Sequence, residues 1–176
     1  AATSAATASH VPRRSASVAG VVILGLRVGE ARTLVGVPEP YGTTTGNSLE
    51  GPRPVQRHRL VAPSGLAIEL LDLGATLHRI EIPDRAVGTV PLSLSLDSLA
   101  QREDPVRNPY LGVSVGRYAN RLRASRFPID GEWFAVDANE GENQLHGGSV
   151  GFSRVVWDAE CDDASVCFRR VSPDGE

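Results

Sequence analysis

Three polar side chains in residues 108–148 stand out because each can bind a hydroxyl group: Asn120, Arg121 and His146. Arginine offers a planar fork of N–H donors, and asparagine offers both a donor and an acceptor. Histidine can also exchange a proton near neutral pH. A guanidinium, a carboxamide and an imidazole in one short segment are compatible with a sugar, so the segment predicts a binding site.

The elements around these residues follow from local sequence. Residues 127–129 and 133–136 flank Asp130-Gly131, a dipeptide that suits a two-residue turn in which both residues have positive φ, so we predict a hairpin. Pro128 cannot donate to a ladder, which predicts an edge strand or an outward-facing nitrogen. The polar, glycine-broken residues 139–144 predict a loop that carries His146 at its end.

Four strings in this region and beyond it resemble the aldose 1-epimerase (galactose mutarotase) family, in that family's order and spacing. They are GRYANRL (116–122), NQLHGG (143–148), GFSRVVW (151–157) and SPDGE (172–176). The resemblance implies a large antiparallel β-sandwich roughly twice as long as this chain, with SPDGE near its middle. We therefore expect an N-terminal half that is cut at both ends, in keeping with the absence of methionine and the final Pro-Asp-Gly turn.

The resemblance also implies a chemistry. Interconverting the α and β anomers of a hexose such as galactose or glucose needs a general base at the C1 hydroxyl and a general acid at the ring oxygen, with no metal and no cofactor. In the family, the base is a late glutamate and the acid lies in a Thr-Asn-His segment that this sequence lacks. We expect both beyond Glu176, and no catalytic residue in this chain. Asn120, Arg121 and His146 match the family's sugar-binding positions.

Alternatives to an epimerase remain open. Binding residues without an acid and a base are also typical of a non-catalytic carbohydrate-binding fragment. A half-sandwich with unpaired strand edges could instead aggregate or stay partly unfolded. A hexose-6-phosphate epimerase is a neighbouring activity, but no added basic cluster near the site favours it.

Other residues that often carry function have structural interpretations here. We expect His10, His58 and His78 to be structural or solvent-exposed. Trp133 and Trp157 lie in alternating apolar segments, which favours core packing over stacking on a sugar. We expect Arg117 to orient Asn120 and Arg121, and Cys161 and Cys167 to be buried or edge thiols outside any disulfide framework or zinc site.

Composition narrows the class of partner. The net charge is −3 and the pI is near 5.8, which predicts neither nucleic-acid nor membrane binding. The partner that the family resemblance implies is a small-molecule aldose. All eighteen basic residues are arginine, so Schiff-base and phosphate-loop lysine chemistry are excluded. We expect a cytoplasmic protein. The alternative is secretion, suggested by a weak leader-like segment from Arg13 to Leu26.

Hydrophobic patterning predicts an all-β domain over residues 42–176 behind a low-complexity extension over residues 1–41, which is disordered, leader-like or packed on the domain. Residues 66–73 and 76–82 form two apolar runs joined at Gly74-Ala75, and residues 90–96 alternate with period two, as in a strand with one wet face. Residues 98–103 suit one helical turn. Short strands at this spacing are typical of a β-sandwich.

Overall fold

The computed structural model describes residues 18–25, 34–45, 51–104, 106–107 and 110–173, and within them the predicted all-β class is confirmed. The strands are β1 (Val18–Gly25), β2 (Leu34–Val35), β3 (Glu39–Thr43), β4 (Pro54–Val61), β5 (Ala67–Leu71), β6 (Thr76–Asp84), β7 (Gly88–Pro91), β8 (Arg121–Leu122), β9 (Arg126–Ile129), β10 (Glu132–Ala135), β11 (Gln144–Leu145), β12 (Asp158–Cys161) and β13 (Ser165–Ser172), and the helix is α1 (Leu99–Glu103).

The largest sheet is antiparallel and has the strand order β2-β4-β5-β6-β7, with β3 also pairing with β4. Its centre is formed by the two apolar runs that the sequence predicts as neighbouring strands. They turn at Gly74-Ala75, where both residues have positive φ. The register pairs Ile68 with Ile80, and a bulge follows at Glu69.

A second sheet, in the order β1-β13-β12, packs against the first through a shared core. Leu60 and Leu70 from the first sheet meet Val166 and Phe168 of β13, and all four are at most 1% exposed. Trp157 completes this core at 3% exposure, so its predicted core position is confirmed. Burying one large apolar side chain contributes roughly 2 kcal/mol, so this joint between sheets is a principal source of stability.

The predicted hairpin is confirmed as β9 and β10. Ile129 pairs with Glu132 across Asp130-Gly131, whose φ values of 49° and 86° are those of a type I′ turn. Strand β9 pairs only with β10 among the described residues, as expected for an edge strand that contains proline. The core position predicted for Trp133 is wrong. Its side chain is 63% exposed, because a two-stranded hairpin has no sheet to bury that face, and the Arg126 guanidinium covers its ring at 4.9 Å.

The strand predicted over residues 90–96 is only partly correct, because β7 ends at Pro91. The backbone nitrogen of Leu92 still donates to the Ile80 carbonyl (2.8 Å), but the Ser93 hydroxyl then accepts the Ile80 N–H (2.9 Å) in place of a backbone carbonyl. A side chain therefore ends the ladder, and Leu94 is left 80% exposed. The helical turn is confirmed as α1, which begins after the N-cap Ser98.

Near the N-terminus, β1 pairs in register with all eight residues of β13. Residues 1–17, including His10, lie outside the described residues, and the division of the chain between residues 41 and 42 stays a prediction. Cys161 and Cys167 are free thiols on β12 and β13, and Cys161 lies on the edge strand of its sheet.

Candidate functional site

The backbone brings the three predicted site residues together. Strand β8 pairs with β11 so that Arg121 lies opposite Leu145, and the His146 N–H donates to the Asn120 carbonyl at 3.0 Å. Asn120 and His146 both have positive φ, at 68° and 51°. Asparagine tolerates this conformation better than most residues, whereas for histidine it is uncommon and often marks a functional position.

The ring of His146 is held in one tautomer. The Asn120 backbone N–H donates to His146 Nδ1 at 3.0 Å, and a backbone N–H can only donate. Nδ1 is therefore the unprotonated nitrogen and the neutral ring carries its proton on Nε2. The side chain is half-buried, so the Nε2–H can serve as a directed donor at the rim of the site.

Tyr110 supports the other side of this imidazole. Its ring meets the His146 ring edge-on at a centroid distance of 4.6 Å. The Asn139 carboxamide links Tyr110 to the residue before His146. Its nitrogen donates to the Tyr110 hydroxyl (3.4 Å) and to the Leu145 carbonyl (3.0 Å). Sequence reasoning missed Tyr110, because an isolated tyrosine between loop residues carries no periodic or motif signal.

Arg121 forms a two-point ion pair with Glu140. Nε donates to Oε2 at 2.5 Å and Nη2 donates to Oε1 at 2.6 Å, which is the parallel fork geometry of a strong arginine–carboxylate pair. Nη1 donates to the Asn120 side-chain oxygen at 3.3 Å. Hydrogen bonding to Arg121 lowers the pKa of Glu140, and the same contact raises the pKa of Arg121. From sequence alone, Glu140 is only one member of a polar loop.

The loop that carries Glu140 is itself a tight turn. Glu140 and Asn143 exchange two backbone hydrogen bonds of 3.0 Å around Gly141-Glu142. The Asn143 side chain then accepts the Ala124 N–H at 3.0 Å, and the Ser125 hydroxyl donates to the Glu142 carbonyl at 2.9 Å. The predicted loop is therefore present, but it is fixed to the residues just after β8.

The two glycines after His146 are needed for close packing within the protein. A Cβ on Gly147 would overlap the Gly116 carbonyl oxygen, and a Cβ on Gly148 would overlap the Asp137 carboxylate. Both glycines have φ near 90°, a conformation in which side chains are strained. In the structure these two glycines let the backbone approach Gly116 and Asp137 closely.

Asp137 anchors the end of this segment. Burial alone would raise its pKa, but hydrogen bonds from the Ser149 backbone (2.7 Å) and the Gln144 side chain (3.0 Å) outweigh burial and hold the pKa below its usual value. A charged Asp137 therefore ties the chain on both sides of His146.

Arg117 does not orient Asn120 or Arg121 as predicted. Its Nε donates to the Ser172 hydroxyl at 2.8 Å and its Nη2 donates to the Pro173 carbonyl. This arginine therefore joins the GRYANRL segment to the end of β13. Sequence spacing could not distinguish these partners, because they lie 55 and 56 residues further along the chain.

A mostly apolar cavity of about 670 Å³ is bordered by sequence neighbours of the site residues. Its lining includes Gly116, Arg117, Leu122, Phe127, Gln144, Gly147, Val150 and Phe152. Asn120, Arg121 and His146 do not line it. Asn120 and Arg121 are exposed and His146 is half-buried, so the three polar groups lie at the surface and outside this cavity.

The structural roles predicted for two other histidines are confirmed. His78 is 3% exposed, and its Nδ1 accepts a hydrogen bond of 2.6 Å from Arg102. Burial, reinforced by nearby arginines, lowers its pKa to about 4. His58 is also 3% exposed and packs edge-on against Phe168, and burial lowers its pKa.

In the described part of the chain, no three or more His, Cys, Asp or Glu side chains form a group that could hold a metal ion. No helix among the same residues is long and apolar enough to cross a bilayer.

Comparison with known proteins identifies the family of this chain. The Aldose 1-epimerase family model matches residues 56–176. Among relatives, an aldose 1-epimerase from Haemophilus influenzae is 36% identical over 135 residues, which are 76% of this chain and 38% of that protein. A galactose mutarotase from Bos taurus is 37% identical over 111 residues, 63% of this chain and 32% of that protein.

Solved structures agree with these relatives. A galactose 1-epimerase from Lactobacillus acidophilus superimposes with a TM-score of 0.59 at 28% identity, over 78% of this chain and 37% of the other. A GalM/aldose epimerase homologue from C. elegans gives a TM-score of 0.51 at 32% identity, over 57% and 30%. The chain thus spans about a third of the length of the proteins that it matches.

Proposed function

Because the chain belongs to the aldose 1-epimerase family, we propose that it forms the sugar-binding part of an aldose 1-epimerase that acts on free hexoses such as galactose and glucose. One observation carries the proposal. The β8–β11 pair sets Asn120, Arg121 and His146 side by side on an open surface, with a fixed Nε2–H on the histidine. These are the positions that match the family's sugar-binding motifs.

The roles that we propose for these residues follow from the chemistry of ring opening. Arg121 and Asn120 would hold hydroxyl groups, and the His146 Nε2–H would donate to an oxygen whose charge changes as the hemiacetal opens. A general base and a general acid are also needed, and we assign neither to a residue of this sequence. In this scheme the chain binds the sugar and polarises its reacting oxygen. A Thr-Asn-His segment and a glutamate outside these 176 residues transfer the protons.

Titration with α/β-D-galactose, followed by two-dimensional NMR, tests the binding part. We expect millimolar sugar to shift the side-chain resonances of Arg121 and His146 and to leave His78 unchanged. Absence of any shift at Arg121 and His146 would contradict a sugar site here. Mannitol, an acyclic polyol, is the matched control for nonspecific contact with hydroxyl groups.

Polarimetry on freshly dissolved α-D-galactose tests the enzymatic part. We expect this chain alone to leave mutarotation at the rate of buffer. A chimera that joins its matched residues to the remaining part of the Haemophilus influenzae relative should accelerate it. A chimera that folds and binds galactose but stays at the buffer rate would contradict the proposal.

A non-catalytic carbohydrate-binding role is the second candidate, because the binding groups are present without an assigned acid and base. The same two measurements separate the candidates. Galactose binding together with an inactive, folded chimera would favour the non-catalytic role. The predicted cytoplasmic location is tested by neither experiment and stays a prediction.

A further inference from the structure

The guanidinium of Arg121 is already partly occupied. Of its five N–H groups, two are taken by the Glu140 carboxylate and one by the Asn120 carboxamide. These contacts leave one N–H on each terminal nitrogen for a ligand. Two adjacent N–H donors whose positive charge is balanced by Glu140 suit neighbouring hydroxyls of a sugar.

Glu140 is also held in place, so that it does not act as a mobile counter-ion. Its backbone N–H and carbonyl are both bonded to Asn143, and the turn is fixed to Ala124 and Ser125. A ligand that displaced the carboxylate would have to break two charge-assisted hydrogen bonds and this turn. The carboxylate is therefore a fixed negative charge at the site.

The charge of the pair is balanced. Arg121 is the cation of the proposed site, and Glu140 neutralises it through direct contact. An anionic ligand that reached the remaining N–H groups would gain attraction to Arg121 and suffer repulsion from Glu140 a few ångströms further away. A neutral ligand would feel neither effect.

From this geometry we propose that Glu140 determines specificity by making the site selective for neutral aldoses over sugars that carry a carboxylate or a phosphate. The inference rests on the proposed sugar-binding function and deepens it. Glu140 acts through Arg121, so it is a positioning and charge-setting residue that makes no contact with the sugar ring in this scheme.

The test compares the affinities of the chain for D-galactose and for D-galacturonate, which replaces the C6 hydroxymethyl group with a carboxylate. Both dissociation constants are measured by NMR titration at one ionic strength, with galactose 6-phosphate as a second anionic ligand. In Glu140→Gln we expect the affinity for galacturonate relative to galactose to rise about fivefold or more, because one charge at this distance is removed.

Two matched variants isolate the cause. Glu142 is an exposed carboxylate two residues after Glu140. Glu142→Gln removes the same amount of charge and should leave the affinity ratio unchanged. Glu140→Asp keeps the charge and should keep the preference for galactose. Unaltered amide spectra outside residues 120–146 verify that each variant folds like the unmodified chain.

The outcomes distinguish two kinds of failure. An unchanged ratio in Glu140→Gln, or an equal rise in Glu142→Gln, overturns the role of Glu140 and leaves galactose binding intact. If no sugar shifts Arg121 or His146 in any variant, the binding site fails and the specificity role fails with it. A rise confined to Glu140→Gln, with galactose still bound, supports the inference.

Discussion

His146 and His78 have the same hydrogen-bond arrangement in two very different places. Each accepts an N–H on Nδ1, from the Asn120 backbone at 3.0 Å and from the Arg102 side chain at 2.6 Å, and each therefore carries its proton on Nε2. His78 is enclosed beside Tyr41 in the sheet, whereas His146 stands half-buried at a loop end beside Tyr110. Access to the Nε2–H, more than the tautomer, makes one histidine a candidate for function and the other a part of the core.

The largest expected effect comes from removing the accessible ring. In the chimera described above, His146→Ala should reduce turnover of galactose about 100-fold, because the loss of one directed donor to a developing charge commonly has an effect of that order. Its melting temperature should barely change. Polarimetry and thermal unfolding of the same sample provide the measurement, and His78→Ala is the control. Equal losses of turnover per folded molecule in the two variants would contradict the site assignment.

For His78 we expect the opposite result, a loss of stability without a loss of sugar binding. His78→Ala should lower the free energy of unfolding of the chain by about 2–3 kcal/mol, because it opens a space in the interior and removes a buried partner of Arg102. Galactose affinity should stay unchanged. Urea unfolding followed by tryptophan fluorescence measures the loss through the buried Trp157. A loss of less than 0.5 kcal/mol, within the usual range for surface substitutions, would show that the enclosed ring is not structural.

A smaller effect is expected from the packing beneath His146. Gly147→Ala should weaken galactose binding about tenfold, because the new Cβ pushes on the Gly116 carbonyl and so on the segment that carries Asn120. Gly131→Ala is a matched control, since Gly131 has a similar φ of 86° but no atom within 4 Å of an added Cβ. Both variants should lose some stability through backbone strain. Only Gly147→Ala should alter the dissociation constant, and an equal effect of both would exclude the packing explanation.

The sequence predicted the parts of this molecule whose causes are local. The Asp130-Gly131 turn, the cap at Ser98 and the two runs around Gly74 each depend on a few adjacent residues, and all three are confirmed. The motif strings mark Asn120 and His146 through the family resemblance, and their sugar-binding role stays a prediction.

The sequence predictions that were wrong or incomplete involve contacts between residues far apart in the chain. Trp133 has the pattern of a core residue, but whether a hairpin is covered depends on what packs over it. Arg117 reaches Ser172, and Glu140 reaches Arg121, through pairings that no local rule specifies. Tyr110 and Glu140 were missed because their importance lies only in what they touch.

The last prediction concerns pH and carries the smallest net effect in the unmodified chain. Burial raises the pKa of Asp72 to about 6, whereas burial lowers that of His78 to about 4. Between pH 4 and 6 the folded chain therefore holds a proton on Asp72 that the unfolded chain releases, so stability falls as pH rises. Over the same range the unfolded chain holds a proton on His78 that the folded chain lacks, so stability rises. The two slopes oppose each other.

Asp72→Asn should expose the uncancelled slope. Asparagine keeps an oxygen for the Gln56 N–H, which Asp72 accepts at 3.0 Å, but it does not titrate. The stability of the variant relative to the unmodified chain should therefore increase with pH between about 4 and 6, by at most about 1.4 kcal/mol per pH unit, and stay level above pH 7. Urea unfolding at half-unit pH steps measures the difference, with the exposed Asp163→Asn as control. A difference independent of pH would mean that Asp72 titrates normally. In that case His78 alone would set the pH dependence of the free energy of unfolding, and stability would fall as the pH drops from 6.5 to 4.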